Sequence, residues 1–125
     1  MNPLSRTTAV TDREISLRRL GGNETLLTTL AGFFLEDAPA LMEQLDKALQ
    51  SGDLALVALR AHSLKGLSST FEAIPFQETA AEVETLAKSG RQIQVDRLLP
   101  ELKHEFERLV SDLESMAATQ SVTLD

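Results

Sequence analysis

The run Arg60-Ala61-His62-Ser63-Leu64-Lys65-Gly66-Leu67-Ser68 sets an imidazole, an ammonium one turn later and a glycine beside it. On a helix, at about 100° per residue, His62, Lys65, Gly66 and Ser69 share a face with Ala55, Ala58 and Leu59 from the preceding turns. Val57, Leu64 and Phe71 fall on the opposite side, flanked by Ala61 and Ser68, and form the expected core stripe. His62 then points outward among small side chains that let another surface come close. A neutral imidazole is a competent nucleophile near pH 7, because its unperturbed pKa of about 6.5 leaves much of it uncharged. A phosphoryl group on it would add close to two negative charges, which an ammonium about 5–6 Å away along the helix can offset. The arrangement suits a histidine that carries phosphate.

The surrounding pattern supplies helices to hold that face. Residues 1–11 are rich in Ser and Thr and aperiodic, a loose lead-in. Asp12 caps a short helix to about Leu20, with Ile15 and Leu20 turned inward, and Gly21-Gly22 stops it. Asn23 caps a second helix from Glu24 to about Gln50, whose apolar stripe is Leu26, Leu27, Leu30, Phe33, Phe34, Leu41, Leu45 and Leu49. Pro39 lies inside it, where a kink is expected. Ser51-Gly52-Asp53 reverses the chain into the His62 helix, which the spacing extends to about Ala73. Pro75 sets that boundary and starts a fourth helix carrying Phe76, Ala80, Val83 and Leu86-Ala87, ending at Ser89-Gly90. The last helix covers roughly Val95 to Ala117 through Leu99, Leu102, Phe106, Leu109, Leu113 and Met116, with Pro100 near its start. Residues 118–125 are expected to fray. Four long helices on short turns predict an all-α, antiparallel up-down four-helix bundle over 12–117, with a short extra helix at its N-terminal end.

Composition narrows the function. The 125 residues fit one domain able to bury a core. Cysteine is absent, which excludes disulfides and thiolate metal sites. A net charge of −7 argues against nucleic acid, whose phosphates demand a basic footprint. No apolar run approaches the roughly 18 residues that span a bilayer, and the first residues lack the apolar centre of a signal peptide. A cytoplasmic monomer is expected, without membrane or nucleic-acid partners. No Gly-rich nucleotide loop is present, so the chain should not make phosphohistidine from ATP by itself. Glu101 and His104 form a Glu-x-x-His pair, but Leu59 stands where a second copy before His62 would need a carboxylate. His104 is assigned to solvent, and no metal or cofactor is expected on this chain.

Ala61-His62-Ser63-Leu64-Lys65-Gly66 closely resembles the signature of the histidine-containing phosphotransfer (HPt) family. Leu20-Gly21-Gly22-Asn23, Phe34-Leu35-Glu36-Asp37-Ala38-Pro39 and Ala48-Leu49-Gln50-Ser51-Gly52-Asp53 resemble further stretches of that family in the same order. Ala81-Glu82-Val83-Glu84 is similar to the segment that packs beside the active helix. The resemblance covers about residues 12–115. It implies a four-helix bundle that takes a phosphoryl group from a receiver-domain aspartyl phosphate and passes it to a second receiver aspartate. The implied partners are receiver domains of response regulators or hybrid sensor kinases, which bring the aspartate, a Mg²⁺ ion and a lysine of their own. His62 matches the phosphorylated histidine; Lys65 and Gly66 match the lysine and glycine after it. Members often have glycine where this chain has Glu72, and the resemblance implies that glycine there permits close approach near the phosphosite.

Each residue on this face has a distinct expected part. Lys65 offsets phosphate charge. Gly66 costs roughly 1 kcal/mol against alanine inside a helix, and its place beside His62 favours clearance for phosphate and receiver over close helix packing. Ala55, Ala58 and Leu59 offer apolar docking contact. Ser69 could hydrogen-bond the histidine or phosphate through water, and Glu72 could tune partner choice by charge. Two other readings use the same face differently: a non-phosphorylated helical adaptor or inhibitor, and a metal-binding bundle.

Overall fold

The computed structural model describes the backbone of residues 9–124 and the side chains of residues 9–117, and every described element is helical. In chain order these are α1 (Arg13–Arg19), α2 (Glu24–Gln50), α3 (Leu54–Ser68), a 3₁₀ turn (Ser69–Phe71), α4 (Ile74–Lys88) and α5 (Gln92–Leu124). Local signals start the first three. The carboxylate of Asp12 accepts from Ile15 N–H, the Asn23 side chain from Leu26 N–H, and Asp53 from Leu56 N–H. Each satisfies a donor that a helix N-terminus otherwise leaves unpaired. The α2–α3 reversal is tight because Gly52 adopts φ 78°, a left-handed backbone that glycine enters without steric cost.

Each long helix packs on its sequence neighbours, and α5 closes the ring against α2. The core is built mainly of apolar side chains: Leu27, Phe34, Leu45 and Leu49 from α2, Val57, Ala61 and Leu64 from α3, Val83 from α4, and Val95, Leu102, Leu109 and Leu113 from α5. At one end Phe34, Phe71, Phe76 and Phe106 form a chain of aromatic contacts with centroids 5.8–6.1 Å apart. These rings tie α2, the 3₁₀ turn, α4 and α5 together, and burying a phenylalanine of this kind is worth about 1.5–3 kcal/mol.

Several details differ from the sequence expectation. α3 does not reach Ala73: it ends at Ser68, and the 3₁₀ turn swings Phe71 into the core at 1% exposure. Glu72 then takes φ 51°, a left-handed conformation, before α4 begins at Ile74 with Pro75 in its first turn. In α1 the fully buried side chain is Ser16, with Leu17 and Leu20 packed on the core, while Ile15 is half-buried and stands outside the core cluster. Of the α2 stripe, Leu26 and Phe33 remain exposed, and Ala31, Ala38, Met42 and Ala48 complete the inward face instead. α2 continues as helix through Pro39.

α5 also starts earlier, at Gln92 rather than Val95, because Gly90 ends α4 with φ 73° and the Arg91 carbonyl already accepts from Val95. Its backbone is helical to Leu124, past the expected end at Ala117; no glycine or proline interrupts residues 118–124. Of the expected N-terminal lead-in, residues 1–8 lie outside the described residues. The segment leading into α1 is tied down: Thr11 hydrogen-bonds Asp112, and Asp12 N–H donates to the Phe71 carbonyl. Among the described residues no helix is long and apolar enough to cross a membrane.

Candidate functional site

The site lies where α3 meets α4. On α3, Val57, Ala61, Leu64 and Ser68 are at or near zero exposure, which turns the other face outward and leaves the His62 side chain 65% exposed. α4 packs its Ala80–Val83–Ala87 stripe inward, and the next position on that stripe is Glu84. Among the described residues Glu84 is the one charged side chain that is buried, at 6% exposure.

Three donors meet on this carboxylate. Lys65 Nζ donates to Oε1 at 2.9 Å, Lys88 Nζ to Oε2 at 2.9 Å, and His62 Nδ1 lies 3.1 Å from Oε2. Hydrogen bonds from Lys65 and then Lys88 hold the Glu84 carboxyl down at about 2, against the opposing effect of burial. An ionised carboxylate can only accept, so the proton on the neutral ring belongs to Nδ1. The lone pair is thereby assigned to Nε2, on the solvent-facing ring.

Beside His62 runs an open groove of about 620 Å³, walled by Ala55, Ala58 and Leu59 of α3 and by Glu84, Ala87 and Lys88 of α4, with Gly90 at its end. Leu59 and Ile93 are large apolar side chains left 54% and 64% exposed. Small walls and one protruding leucine leave room for a second protein surface to reach the imidazole.

The residues singled out in the sequence are distributed unevenly about this groove. Ala55, Ala58 and Leu59 line it together with His62. Lys65 reaches Glu84 rather than the ring. Gly66 is exposed, and a Cβ built on it would meet nothing within 4 Å, so no neighbouring helix requires its glycine. Ser69 lies past the end of α3, with its hydroxyl donating to the Gly66 carbonyl at 2.7 Å. Glu72 is turned toward α1, where it pairs with Arg19 at 2.8 Å. The azimuth that put Ser69 on the His62 face, like the placing of Glu72 within the same helix, assumed an α-helix to Ala73, and the 3₁₀ turn breaks that register. Left-handed backbone at position 72 also gives a local reason for glycine there, independent of any approaching partner.

His104 is exposed on α5, beside a separate shallow groove that includes Glu107 and Asp112. Among the described residues no group of three or more His, Asp or Glu side chains is arranged to hold a metal ion.

Glu84 is the site residue that sequence reasoning overlooked. Its signal was present: a glutamate on the apolar stripe of α4, four residues before a lysine. A charge at such a position is expected only with partners.

The family model for the Hpt domain matches residues 29–112, which includes every side chain of the His62–Lys65–Glu84–Lys88 cluster. No curated protein sequence is significantly similar to the chain. Among solved structures, the crystal structure of histidine-containing phosphotransfer protein B (HptB) from Pseudomonas aeruginosa PAO1 superposes with a TM-score of 0.82. The match covers 90% of this chain and 97% of that one at 23% sequence identity, and establishes a shared fold.

Proposed function

Because the chain belongs to the Hpt domain family and is a phosphotransfer protein of two-component signalling, we propose that His62 is its phosphoacceptor. In this reading the helices form an antiparallel up-down bundle with α1 as an extra N-terminal element. The phosphoryl group arrives from the aspartyl phosphate of one receiver domain and leaves to the aspartate of another. The main support is the His62 ring itself: exposed, with Nδ1 against an ionised carboxylate and Nε2 clear of it.

The chemistry follows from that geometry. The Nε2 lone pair attacks phosphorus in line, the bond from phosphorus to the aspartyl oxygen breaks, and its electron pair stays on the leaving carboxylate. The ring keeps its Nδ1 proton and becomes a cation, which Glu84 stabilises through the bond already in place. In the reverse step a receiver carboxylate oxygen attacks phosphorus and the phosphorus–nitrogen pair returns to Nε2. No proton moves in either direction, so a general base is not required. Phosphoryl transfer depends mainly on alignment and charge neutralisation. Mg²⁺ held by the receiver would supply charge neutralisation at the phosphoryl oxygens.

Lys65 keeps Glu84 ionised and lies close enough to share in balancing the phosphoryl charge. Ala55, Ala58 and Leu59 form the docking contact, and Gly66 provides clearance beside it. The partner is held briefly, through an interface at the small end of the usual range. The setting is cytoplasmic and the working unit a monomer.

The test is direct. Mixed with a phosphorylated receiver domain, the wild-type chain gains acid-labile, base-stable phosphate, and His62→Gln gains none. Equal labelling of His62→Gln would overturn the assignment.

A further inference from the structure

Glu84 is asked to serve three donors with two oxygens, and the sharing is unequal. Lys65 has Oε1 to itself, whereas Lys88 and His62 Nδ1 both use Oε2. Lys88 also lines the groove with His62, and Lys65 is not among its walls. The Lys88 side chain is 66% exposed against 35% for Lys65, so its flexible stem has more room to swing. Lys88 lies outside the Ala-His-Ser-Leu-Lys-Gly run that marked the site in the sequence.

We infer that Lys88 is a second phosphate-positioning cation, resting on Glu84 Oε2 while His62 is free and transferring to the phosphoryl oxygens once His62 is loaded. The inference rests on His62 being the phosphoacceptor. Loading changes both ends of the competition. The ring becomes a cation that still carries its Nδ1 proton, and its claim on Oε2 strengthens. At the same time a group with nearly two negative charges appears on a ring that shares the groove with Lys88. Lys65 stays on Oε1 and keeps the carboxylate charged. The exchange lets one glutamate hold the ring in both states while releasing an ammonium only when phosphate is there to receive it.

The experiment loads the chain with phosphoramidate, which needs no receiver. Nε2 attacks phosphorus, the donor's phosphorus–nitrogen bond breaks, and ammonia leaves with the bonding pair. The ³¹P resonance of phospho-His62 is then followed against pH. An ammonium paired with the phosphoryl group favours its dianion, so Lys88→Ala should raise the titration midpoint by about half a pH unit. Lys88→Arg should restore the wild-type midpoint, and Lys65→Ala should move it less than Lys88→Ala. A lysine that merely braces Glu84 would act through the carboxylate, as Lys65 does, and its removal would move the midpoint no more than Lys65→Ala does. A loaded Lys88→Ala chain whose midpoint moves no further than that of Lys65→Ala therefore overturns the role of Lys88 alone. A wild-type chain that takes no phosphoryl group at His62 overturns the phosphoacceptor reading and this inference with it.

Discussion

Replacing Glu84 by glutamine tests the centre of the site with almost no change in shape. Glu84 is 6% exposed, and its carboxylate accepts from two ammoniums and one imidazole. Its pKa is lowered from 4.5 to about 2, chiefly by the Lys65 hydrogen bond and then by that of Lys88. At 1.36 kcal/mol per unit the shift corresponds to about 3 kcal/mol favouring the folded, ionised state. The donors are partly solvated, 35% exposed for Lys65 and 66% for Lys88, which screens the interaction and reduces its net worth to about 1–2 kcal/mol.

The sign with pH follows from the depressed value. The stabilisation is fully present above the unfolded pKa near 4.5 and is lost as pH falls through about 2. Denaturant titrations should therefore place Glu84→Gln about 1–2 kcal/mol below wild type at pH 7, with the gap closing between pH 4.5 and 2 as the wild-type carboxylate protonates. For transfer, the amide oxygen can still accept from Nδ1–H, but as a neutral acceptor against a developing imidazolium. A charge-assisted bond is about twice as strong as a neutral one, and the loss of about 1.4 kcal/mol in the transition state slows transfer about tenfold. Rapid-quench transfer from a phosphorylated receiver measures this. A stability gap that does not vary with pH, together with wild-type transfer rates, would refute both the electrostatic role and the orienting role of Glu84.

Two further substitutions separate folding from docking. Gly66→Ala should raise stability by about 1 kcal/mol in thermal or denaturant unfolding, since the new Cβ meets nothing within 4 Å. The same variant should slow transfer several-fold if the receiver uses that clearance, and unchanged transfer would dismiss the clearance role. Glu72→Gly should relieve left-handed backbone at φ 51° while losing the part-exposed pair with Arg19, a net change within about 1 kcal/mol of wild type in denaturant unfolding. Its preference among several receivers should match wild type, because Glu72 pairs with Arg19 of α1 and is not among the walls of the groove; a changed preference would assign a docking role to that position.

The parts of the molecule that were readable in the sequence are those governed by a single local rule. Asp12, Asn23 and Asp53 announce helix starts because each short polar side chain can reach a free backbone donor two or three residues on. The spacing of Val57, Ala61, Leu64 and Ser68 is sufficient to turn His62 outward, since opposite faces of a helix cannot both be buried against the same neighbours. The parts that were not readable depend on tertiary choices. Nothing in Ser69-Thr70-Phe71 marks a 3₁₀ turn; the turn forms where Phe71 meets Phe34, with ring centroids 5.9 Å apart. Exposure of Leu26 and Phe33 likewise reflects which α2 face the other helices cover, and small residues such as Ala31 and Ala38 occupy the contact instead.

Glu84 falls between these cases, and it shows why a motif is an incomplete description of a site. The His62 run specifies a nucleophile and a cation on one helix, but a helix alone cannot fix an exposed imidazole: the ring is free to rotate, and either nitrogen can carry the proton. Fixing it requires an acceptor from a neighbouring element. That acceptor must be charged to favour the loaded ring, yet enclosed enough to hold one geometry. A buried carboxylate without cations would protonate and lose the charge that makes it useful. Lys65 and Lys88 therefore act on His62 through Glu84, by keeping the carboxylate ionised in the unloaded site. The sequence distance from His62 to Glu84 is bridged only by packing α3 on α4, so the histidine acquires its directed lone pair as a product of folding.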